Sequence, residues 1–520
     1  MAGTFSTLDW IVVICYLALL LTMGWFFKSF KSSNSKDYFL AGNQMPSWVV
    51  AFSVLATTQS AATFLGGPDQ GYRGNFTYLT SFIGALIAAL IVAKILVPIF
   101  YKNKVTTVYE ILLLRVGRSA MLASSFMYLV GRFLASGARL YLAAIAVSMI
   151  LYSNIDAKNI IVASLVLTML GFFVTFIGGI RSVIWSDLLQ FIVYTVSALA
   201  VLYYLYNAIP ANFSDIIKGL ENSPHGQNKL MLFNFNLNFS DPYTVISIFT
   251  GFTLLYIGNF GLDQDTTQRL LTCENEKQGG RAIVLSVLIS IPLIWVFISI
   301  GQLLHIYYNR PELMDGATDA LINNEFNGEQ ITVFMHYILS ELPSGLKGLV
   351  AVGVIAAAVS TINSGLNSMS SVIVEDYYRP WREKRGPVIE KHFVRVGQIS
   401  MASVGIILFL MSVLCFYWQR YSGLPLLDFA LSVMVFAYSG LLGVYFTIVF
   451  TNRGSSRSVI MALATGFFVT LLLQSYIIDI LNLPAQLKEI TFTWQLCIGS
   501  LSAFIVCFIG QTNKTSLKVS

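Results

Sequence analysis

Long apolar stretches recur along the whole sequence of 520 residues, and little else is left between them. Each is about 20 residues or longer, which as a helix is enough to cross a hydrocarbon core roughly 30 Å thick. Only 11% of the residues are charged and 56% are hydrophobic, which excludes an ordinary water-soluble fold. The sequence therefore predicts an all-α polytopic membrane protein.

About 13 transmembrane helices are predicted from these stretches. The first lacks a basic leader and a small-residue cleavage site, so we interpret it as a retained helix and not as a signal peptide. The predicted spans are 8–27, 46–68, 77–101, 119–151, 159–177, 183–207, 242–262, 279–305, 345–374, 391–417, 425–450, 458–480 and 491–511.

The distribution of basic residues predicts the orientation of the spans. With the N-terminus outside, about 20 of the 32 lysines and arginines lie in inside segments and about 8 in outside loops. This bias predicts a multi-pass protein of the cell (inner) membrane, with the N-terminus outside and the C-terminus cytoplasmic. It also accounts for the net charge of +6 without an anionic macromolecule, so no nucleic-acid partner is predicted.

The number of spans suggests an internal repeat. Five spans lie in residues 46–207, before an outer loop at 208–241, and five more lie in 242–450. Because five is odd, the second set would start from the opposite side, as in an inverted repeat. Residues 1–45 would then add one N-terminal helix and a cytoplasmic loop, and 451–520 two C-terminal helices and a short tail. Counting alone also permits other groupings.

The predicted second span has an unusual polar run from Thr57 to Ser60, followed by Thr63. A single hydroxyl in a membrane helix usually bonds to its own backbone, but five polar residues together favour a functional site. A local break in this helix would free the carbonyl oxygens of Ala56 and Gln59. Hard cations bind such oxygens.

A second polar stripe lies in the predicted ninth span. Its members recur at three- and four-residue spacing and therefore share one helical face. They are Ser360, Thr361, Asn363, Ser364 and Asn367. Close helix packing through small residues is one explanation, but amides in hydrocarbon need partners, which favours a polar pathway.

Three of the charged residues inside predicted spans are candidates for function. A carboxylate such as that of Asp187 costs free energy to place in hydrocarbon. It therefore indicates either a cation-binding function or a structural hydrogen bond near the membrane face. Arg132 and Arg139 are seven residues apart and share a helical face. They can bind an anionic solute group, or pair with Asp187 or with carbonyls, and the sequence does not separate these alternatives.

Catalytic and metal chemistry find little support in the sequence. The four histidines fall in predicted loops or at span ends, and the five cysteines show no CxxC or Cys/His spacing. No catalytic residue and no organic cofactor are predicted. A transporter-like sensor is the other alternative, but the predicted tail after the last span has only about ten residues and is too short for an output domain.

Several segments together resemble the sodium/solute symporter family, which includes sodium/glucose, sodium/proline and sodium/sialic acid cotransporters. The segments are Lys36–Gly42 (KDYFLAG), Phe52–Thr63 (FSVLATTQSAAT), Thr107–Leu112 (TVYEIL), Gly178–Asp187 (GGIRSVIWSD), Asp263–Arg269 (DQDTTQR) and the stripe Ser360–Asn367. The resemblance covers roughly residues 8–510. It implies the 5+5 inverted-repeat fold of the bacterial leucine transporter and sodium as the coupling ion.

The resemblance also implies ion-binding residues. The main sodium site would take the carbonyls of Ala56, Gln59 and Ala357 and the hydroxyls of Ser360 and Thr361. A second sodium site, found in some members, would take Asp187, Ser360, Asn363 and Ser364. Relatives with that site have serine where this sequence has Asn363.

The solute is predicted as a sugar or sugar acid, with an amino acid such as proline or a vitamin as the alternative. The candidate substrate-binding residues are Ser60, Thr63, Tyr78, Asn259, Arg132 and Arg139. Gln264–Arg269 resembles the sugar, sialic acid and vitamin branches, whereas Gly137–Leu140 resembles the proline branch. Ala135 and Phe82 stand where sialic acid members have a substrate arginine and glutamine. A sodium-driven importer that acts as a monomer in the lipid bilayer is the resulting prediction.

Overall fold

The computed structural model describes residues 5–27, 34–152, 154–223, 228–314, 325–326, 329–330, 332–422 and 426–510. Within these ranges nearly all secondary structure is helical, and nine helices are long and apolar enough to cross a bilayer. Three shorter apolar helices are Thr7–Met23, Ser456–Leu472 and Phe492–Phe508. The predicted all-α polytopic membrane architecture is therefore confirmed.

The helices are numbered α1–α22 in chain order. The first eleven are α1 Thr7–Phe27, α2 Ser35–Leu40, α3 Ser47–Thr58, α4 Ala61–Arg73, α5 Thr77–Ile91, α6 Val97–Lys102, α7 Glu110–Arg115, α8 Arg118–Tyr152, α9 Ala157–Asn207, α10 Phe213–Glu221 and α11 Val245–Ser247. The others are α12 Thr253–Ile257, α13 Gln264–Leu270, α14 Glu276–Asn309, α15 Val333–Ser340, α16 Leu346–Val372, α17 Arg379–Glu383, α18 Glu390–Ser422, α19 Leu426–Phe450, α20 Ser456–Leu472, α21 Ser475–Ile480 and α22 Phe492–Phe508.

Short irregular elements complete the fold. Wide π-helical turns occur at Val92–Leu96, Ile248–Phe252, Gly258–Leu262 and Ile373–Tyr378, and tight 3-10 turns at Ala41–Asn43, Pro311–Leu313 and Ala485–Glu489. Two-residue strands β1 (Glu325–Phe326) and β2 (Glu329–Gln330) pair antiparallel. Because of the wide turns, α5–α6, α11–α12 and α16–α17 each form one continuous helical segment.

The helix α9 contains both the fifth and the sixth predicted spans. Its direction changes at Gly179, which has φ 57° and ψ −152°, a backbone conformation that L-residues with a side chain rarely adopt. A Cβ at this position would also lie 2.4 Å from the carbonyl oxygen of Tyr38. Both features require glycine where the two predicted spans meet.

Helices α4 and α14 pack with their backbones in direct contact. A Cβ on Gly71 would lie 2.2 Å from the Ile298 carbonyl oxygen, and one on Gly301 would lie 2.0 Å from the Pro68 carbonyl oxygen. Such approach is possible only between small residues, which are the usual contact residues of membrane helices. The half-helix α4 is thus fixed against the long helix α14.

The two ends of the helix bundle differ. One end, the loop-rich face, contains the described residues of segments 208–244 and 310–345, and the opposite face contains segments 103–109, 271–275 and 384–389. On the opposite face the backbone of Val108 is held on both sides: its N–H donates to Gln264 Oε1 at 3.0 Å, and its carbonyl accepts from the Tyr445 hydroxyl at 2.8 Å. The Thr107 hydroxyl donates to the buried Asp376 at 2.6 Å. These bonds connect segment 103–109 to α13, to α19 and to the π-helical turn Ile373–Tyr378.

Candidate ion and solute site

The backbone between α3 and α4 is not helical. Gln59 (φ −86°, ψ 116°) and Ser60 (φ −119°, ψ 177°) are extended. The Gln59 N–H still donates to the Leu55 carbonyl at 2.8 Å, and the next helical bonds end at the Ser60 carbonyl. Within the described residues, no backbone N–H donates to the carbonyls of Ala56 or Gln59. The break expected in this span is present, and it leaves the two oxygens available to a ligand.

A small cavity lies between α3, α9 and α16. Its lining includes Ala56, Gln59, Ala357 and Ser360, four of the five residues of the predicted main sodium site. The fifth, Thr361, donates its hydroxyl to the Ala357 carbonyl at 3.1 Å, one helical turn earlier. The structure places four of the five residues around one cavity and the fifth in a hydrogen bond with one of them.

Two further residues of the small cavity were missed in the sequence. Gln190 and Tyr194 of α9 line it, and both are buried. The Tyr16 hydroxyl lies next to the Gln190 amide. Within the described residues, neither Gln190 nor Tyr16 makes a side-chain hydrogen bond of normal geometry. Gln59 Oε1 and the Tyr194 hydroxyl are also buried without a hydrogen-bond partner in the described residues. Because unsatisfied buried polar atoms are costly, these atoms mark a place for an ion or water.

Asp187 is completely buried between α3, α13 and α16. One carboxylate oxygen accepts from the Ser360 hydroxyl at 2.7 Å. The other accepts from the Ser53 hydroxyl at 2.5 Å and from Arg269 Nη2 at 3.1 Å. Three donors therefore stabilise the charged carboxylate.

The remaining residues of the predicted second sodium site point to other partners. The Ser364 hydroxyl donates to the carboxylate of Asp265, at 2.7 and 2.5 Å to its two oxygens. The amide nitrogen of Asn363, in the orientation that suits its surroundings, donates to the Gly171 carbonyl at 2.8 Å. Of the four predicted residues, only Asp187 and Ser360 are in direct contact.

Five charged side chains form a buried network. Arg269 lies between two carboxylates, with Nη1 2.7 Å from Asp265 and Nη2 3.1 Å from Asp187. Arg132 pairs with the same Asp265 and, at 3.1 Å, with Asp263. Each charge has an opposite partner, which burial in hydrocarbon requires. Arg132 therefore pairs with Asp263 and Asp265 and not with Asp187, and the sequence analysis missed Asp263, Asp265 and Arg269 as partners.

A larger cavity lies on the other side of the break. Five of the six predicted substrate residues line it: Ser60, Thr63, Tyr78, Arg139 and Asn259. Arg132 does not; it lines a separate, smaller cavity beside Asp263 and Tyr438. We call the larger space the solute cavity.

Arg139 is the charged group of the solute cavity. Its side chain is buried, and Nη2 contacts the Met434 sulfur at 3.3 Å. In the described part of the chain no carboxylate lies within ion-pair distance of it. A buried guanidinium with only a thioether contact lacks the anionic partner that burial normally demands.

A second aromatic ring packs on the wall of the solute cavity. The ring of Tyr78, which lines the cavity, meets the ring of Tyr243 edge to face with centroids 5.5 Å apart. The Tyr243 hydroxyl donates to Asp428 at 2.8 Å, which fixes the position of its ring. Tyr78, predicted as a substrate residue, thus connects the cavity to Tyr243.

Lys229 fastens the loop-rich face to the end of α4. Its side chain is buried, and Nζ donates to the carbonyls of Tyr72 at 2.6 Å and Gly74 at 3.1 Å. A cation suits this position because a helix C-terminus has free carbonyls and a negative dipole end. Burial nevertheless lowers the pKa of Lys229 to about 8, since the charged form loses hydration.

A comparison with known families matches residues 38–466 to the model described as the sodium:solute symporter family. The chain belongs to this family. The resemblance found in the sequence is therefore confirmed, and the protein is a sodium-coupled symporter with membrane-spanning helices.

Curated relatives are similar over different lengths. The symporter is 25% identical to the sodium/sialic acid symporter NanT of Aliivibrio fischeri, over 98% of this chain and 94% of that protein. It is 28% identical to the sodium/sialic acid symporter SiaT of Proteus mirabilis, over 72% of each chain. With the human sodium-coupled monocarboxylate transporter 2 it shares 28% identity over 72% of this chain, but only 58% of that protein.

Solved structures show the same fold. A substrate-bound, outward-open Na⁺-coupled sialic acid symporter superimposes with a TM-score of 0.80 at 23% identity, over 97% of this chain and 98% of that one. A nucleobase–cation symporter in a closed conformation gives 0.52 at 14% identity, over 92% and 93% of the two chains. At these identities the likeness concerns the path of the backbone and not the solute.

Proposed function

We propose that the symporter imports a small polar solute bearing a carboxylate, foremost a sugar acid, by alternating access driven by sodium. The observation that carries this proposal is Arg139, a buried cation in the solute cavity without a carboxylate partner in the described residues. Ser60, Thr63 and Asn259 add hydroxyl and amide groups that suit a polyol. The relatives named above carry sialic acid or monocarboxylates, which share the carboxylate.

We propose the small cavity as the main sodium site, with the carbonyls of Ala56, Gln59 and Ala357 and the hydroxyls of Ser360 and Thr361. The free carbonyls of the broken helix support it, since oxygen is the ligand that hard cations prefer. A second sodium would bind at Asp187 and Ser360. It would have to compete with Arg269, which already occupies one carboxylate oxygen.

The proposed membrane arrangement has 13 transmembrane helices in a 5+5 inverted repeat. Nine long helices, the broken pair α3–α4 and three shorter apolar helices together support the count. The break at Gln59 (φ −86°, ψ 116°) has a counterpart at Asp263 (φ −86°, ψ 118°) at the start of α13. Equivalent breaks in the two halves are what a repeat would produce. The loop-rich face would lie outside, and the symporter would act as a monomer.

Matched solutes test the carboxylate. Purified symporter is heated in sodium and in potassium buffer with glucose, glucuronate, N-acetylneuraminate, pyruvate, proline and pantothenate, because a ligand of the native state raises the melting temperature. We expect a sodium-dependent rise with a sugar acid that exceeds that of the parent sugar. A sodium-dependent rise with glucose and glucuronate alike would reject the carboxylate. A sodium-dependent rise with proline and with no sugar acid would reject the sugar part of the proposal, and both outcomes leave sodium coupling intact.

Ser360 tests the ion site. Replacing it by alanine removes a hydroxyl of the small cavity, so we expect a several-fold higher sodium concentration for half-maximal uptake in proteoliposomes. Ser403→Ala is the matched control, since Ser403 lies exposed on α18 and bonds to the Ile399 carbonyl of its own helix. Uptake that ignores sodium and follows a proton gradient would refute the proposal.

A further inference from the structure

An uncharged and strongly apolar segment lies on the loop-rich face. Residues 230–240, the Phe/Asn segment, contain no charged side chain, and apolar residues alternate with asparagine from Phe233 to Phe239. Phe235 is 76% exposed, Leu237 78% and Phe239 58%. Contiguous apolar exposure of this kind indicates a surface that is covered by something other than water.

Contacts at both ends fix the depth of this segment in the bundle. At its start, the carbonyl of Lys229 accepts from Gln302 Nε2 at 3.1 Å, and Gln302 lies seven residues before the last residue of α14. Seven residues are about 10 Å along a helix. At its end, the Phe239 carbonyl accepts from the Thr491 N–H at 3.1 Å, the residue before α22. The segment is therefore level with the helix ends and does not rise far above them.

The surface beside the segment faces lipid. Ile246 and Phe249, which follow it in the chain, are 40% and 55% exposed, and Leu501 on α22 is 60% exposed. The Phe239 ring packs on Trp494 of α22 with centroids 4.8 Å apart. Aromatic side chains gather where hydrocarbon meets water. The exposed side chains of the segment thus continue the lipid-facing surface of α11 and α22.

The asparagines make this irregular backbone compatible with the edge of a bilayer. The side-chain oxygen of Asn234 accepts from the Asn236 N–H at 3.0 Å, and that of Asn238 accepts from the Ser240 N–H at 2.9 Å. The Asn234 carbonyl accepts from the Val245 N–H at 2.8 Å. Backbone groups that are already hydrogen-bonded cost less free energy to move into a region with little water. Without charges, the segment also lacks the groups that orient a soluble protein partner.

We propose that the Phe/Asn segment is an interfacial anchor, which inserts Phe235 and Leu237 into the headgroup and upper acyl region of the leaflet at the loop-rich face. Its partner is the lipid bilayer itself, bound through apolar area. Separated from the segment by two residues is Tyr243, whose ring packs on Tyr78 in the wall of the solute cavity. The anchor is therefore separated by two residues from a side chain that contacts the cavity wall.

Site-directed spin labelling tests the depth. In a variant whose five cysteines are replaced, Leu237→Cys is labelled with a nitroxide, reconstituted in phosphatidylethanolamine/phosphatidylglycerol liposomes and checked for uptake. Accessibility to oxygen, which concentrates in lipid, is compared with accessibility to a water-soluble nickel chelate. Phe249→Cys is the lipid reference, and Glu221→Cys, exposed at the end of α10, is the water reference. Phe235→Cys replaces Leu237→Cys if that variant does not transport.

We expect the label at 237 to resemble the label at 249, with oxygen accessibility at least severalfold above that of the nickel chelate. A label as accessible to the chelate as the one at 221 would overturn the anchor. So would a label shielded from both reagents that shows dipolar broadening between two copies, which would indicate a contact between protein chains.

Discussion

At the scale of single residues, Arg132 and Arg139 show how partners decide the role of a side chain. They lie on one face of α8, and the sequence gives both the same set of options. Arg132 is enclosed by Asp263 and Asp265, whereas Arg139 faces the solute cavity with a methionine sulfur as its contact. Only the second arginine has an unused charge to offer to a solute.

We predict that Arg139→Gln weakens binding of a carboxylate solute by roughly 10- to 100-fold, because a charge-assisted hydrogen bond contributes about 1.5–3 kcal/mol. Arg139→Lys should retain part of the affinity. Binding of the acid and of its uncharged parent sugar is measured on both variants. If the two solutes lose affinity equally, Arg139 shapes the cavity and does not bind the carboxylate.

Gln190 is the second prediction at this scale. Its amide faces the small cavity with buried polar atoms unsatisfied, so a nearby sodium ion or its water would gain a ligand. Gln190→Leu should raise the half-saturating sodium concentration several-fold, and Gln190→Glu should lower it. Sodium titrations of uptake at saturating solute measure both. Unchanged sodium dependence in a folded Gln190→Leu variant would assign the amide to packing.

At the scale of secondary structure, the broken helix α3–α4 follows from its own sequence, whereas its counterpart does not. The polar run from Thr57 to Ser60 predicted the first break. The break at Asp263 follows a mostly apolar π-helical turn, Gly258–Leu262, and the Asp263 side chain caps α13 by accepting from the Asp265 N–H at 3.0 Å. Its signal is an N-cap and not a polar run.

Lys229 gives the prediction at this scale. Its pKa of about 8 lies below the ordinary 10.5, so between these values the unfolded chain binds more protons than the folded one. The contribution of this lysine to stability therefore rises with pH from about 8 to about 10.5. Melting temperatures between pH 7.5 and 10 should rise more steeply, or fall less steeply, for the wild type than for Lys229→Met. Lys218→Met, on the exposed face of α10, is the control; equal slopes in all three would refute the assignment.

At the scale of the whole molecule, the buried network connects four helices, α3, α9, α13 and α16. Asp187 of α9 reaches α3 through Ser53 and α16 through Ser360, and Arg269 of α13 links it to Asp265. Loss of one member leaves the others charged and unpaired, which in buried pairs costs about 3–5 kcal/mol. Ion binding at Asp187 would therefore change contacts of four helices: α3, α9, α13 and α16.

The number of coupled sodium ions is the prediction for the whole molecule. One sodium ion moving down about 100 mV and a tenfold gradient releases about 3.7 kcal/mol, which supports a solute ratio of about 10² to 10³. Two ions release about 7.4 kcal/mol and support a ratio of about 10⁵. With the second ion at Asp187, Asp187→Asn should reduce the Hill slope for sodium from about two to about one and lower the accumulation ratio. A slope near one in both proteins would make the Asp187–Arg269 pair purely structural.

The sequence by itself determined the features that depend on whether a segment lies in hydrocarbon or in water. Apolar length fixes the membrane helices, because hydrocarbon leaves the backbone no other partner. The polar run at Thr57–Ser60 and the stripe at Ser360–Asn367 also identify the α3–α4 break and the polar face of α16, since polar groups are too costly in lipid to stand there without use. The family resemblance rested on these same segments. The orientation in the membrane follows from the distribution of basic residues, and the helix count follows from the number of apolar stretches. Both stay predictions.

Only the tertiary structure decided which polar groups meet. Pairing of Asp187 with Arg269 joins residues 82 positions apart, and no periodicity within α9 or α13 encodes that distance. The same holds for Arg132, which pairs with Asp263 and Asp265, and for Gln190, whose amide lies at the small cavity beside Tyr16. A helix pattern determines which face a side chain occupies. What lies opposite that face depends on how distant helices pack, and in a membrane this decides whether a charge is neutralised by the protein or left for an ion or a solute.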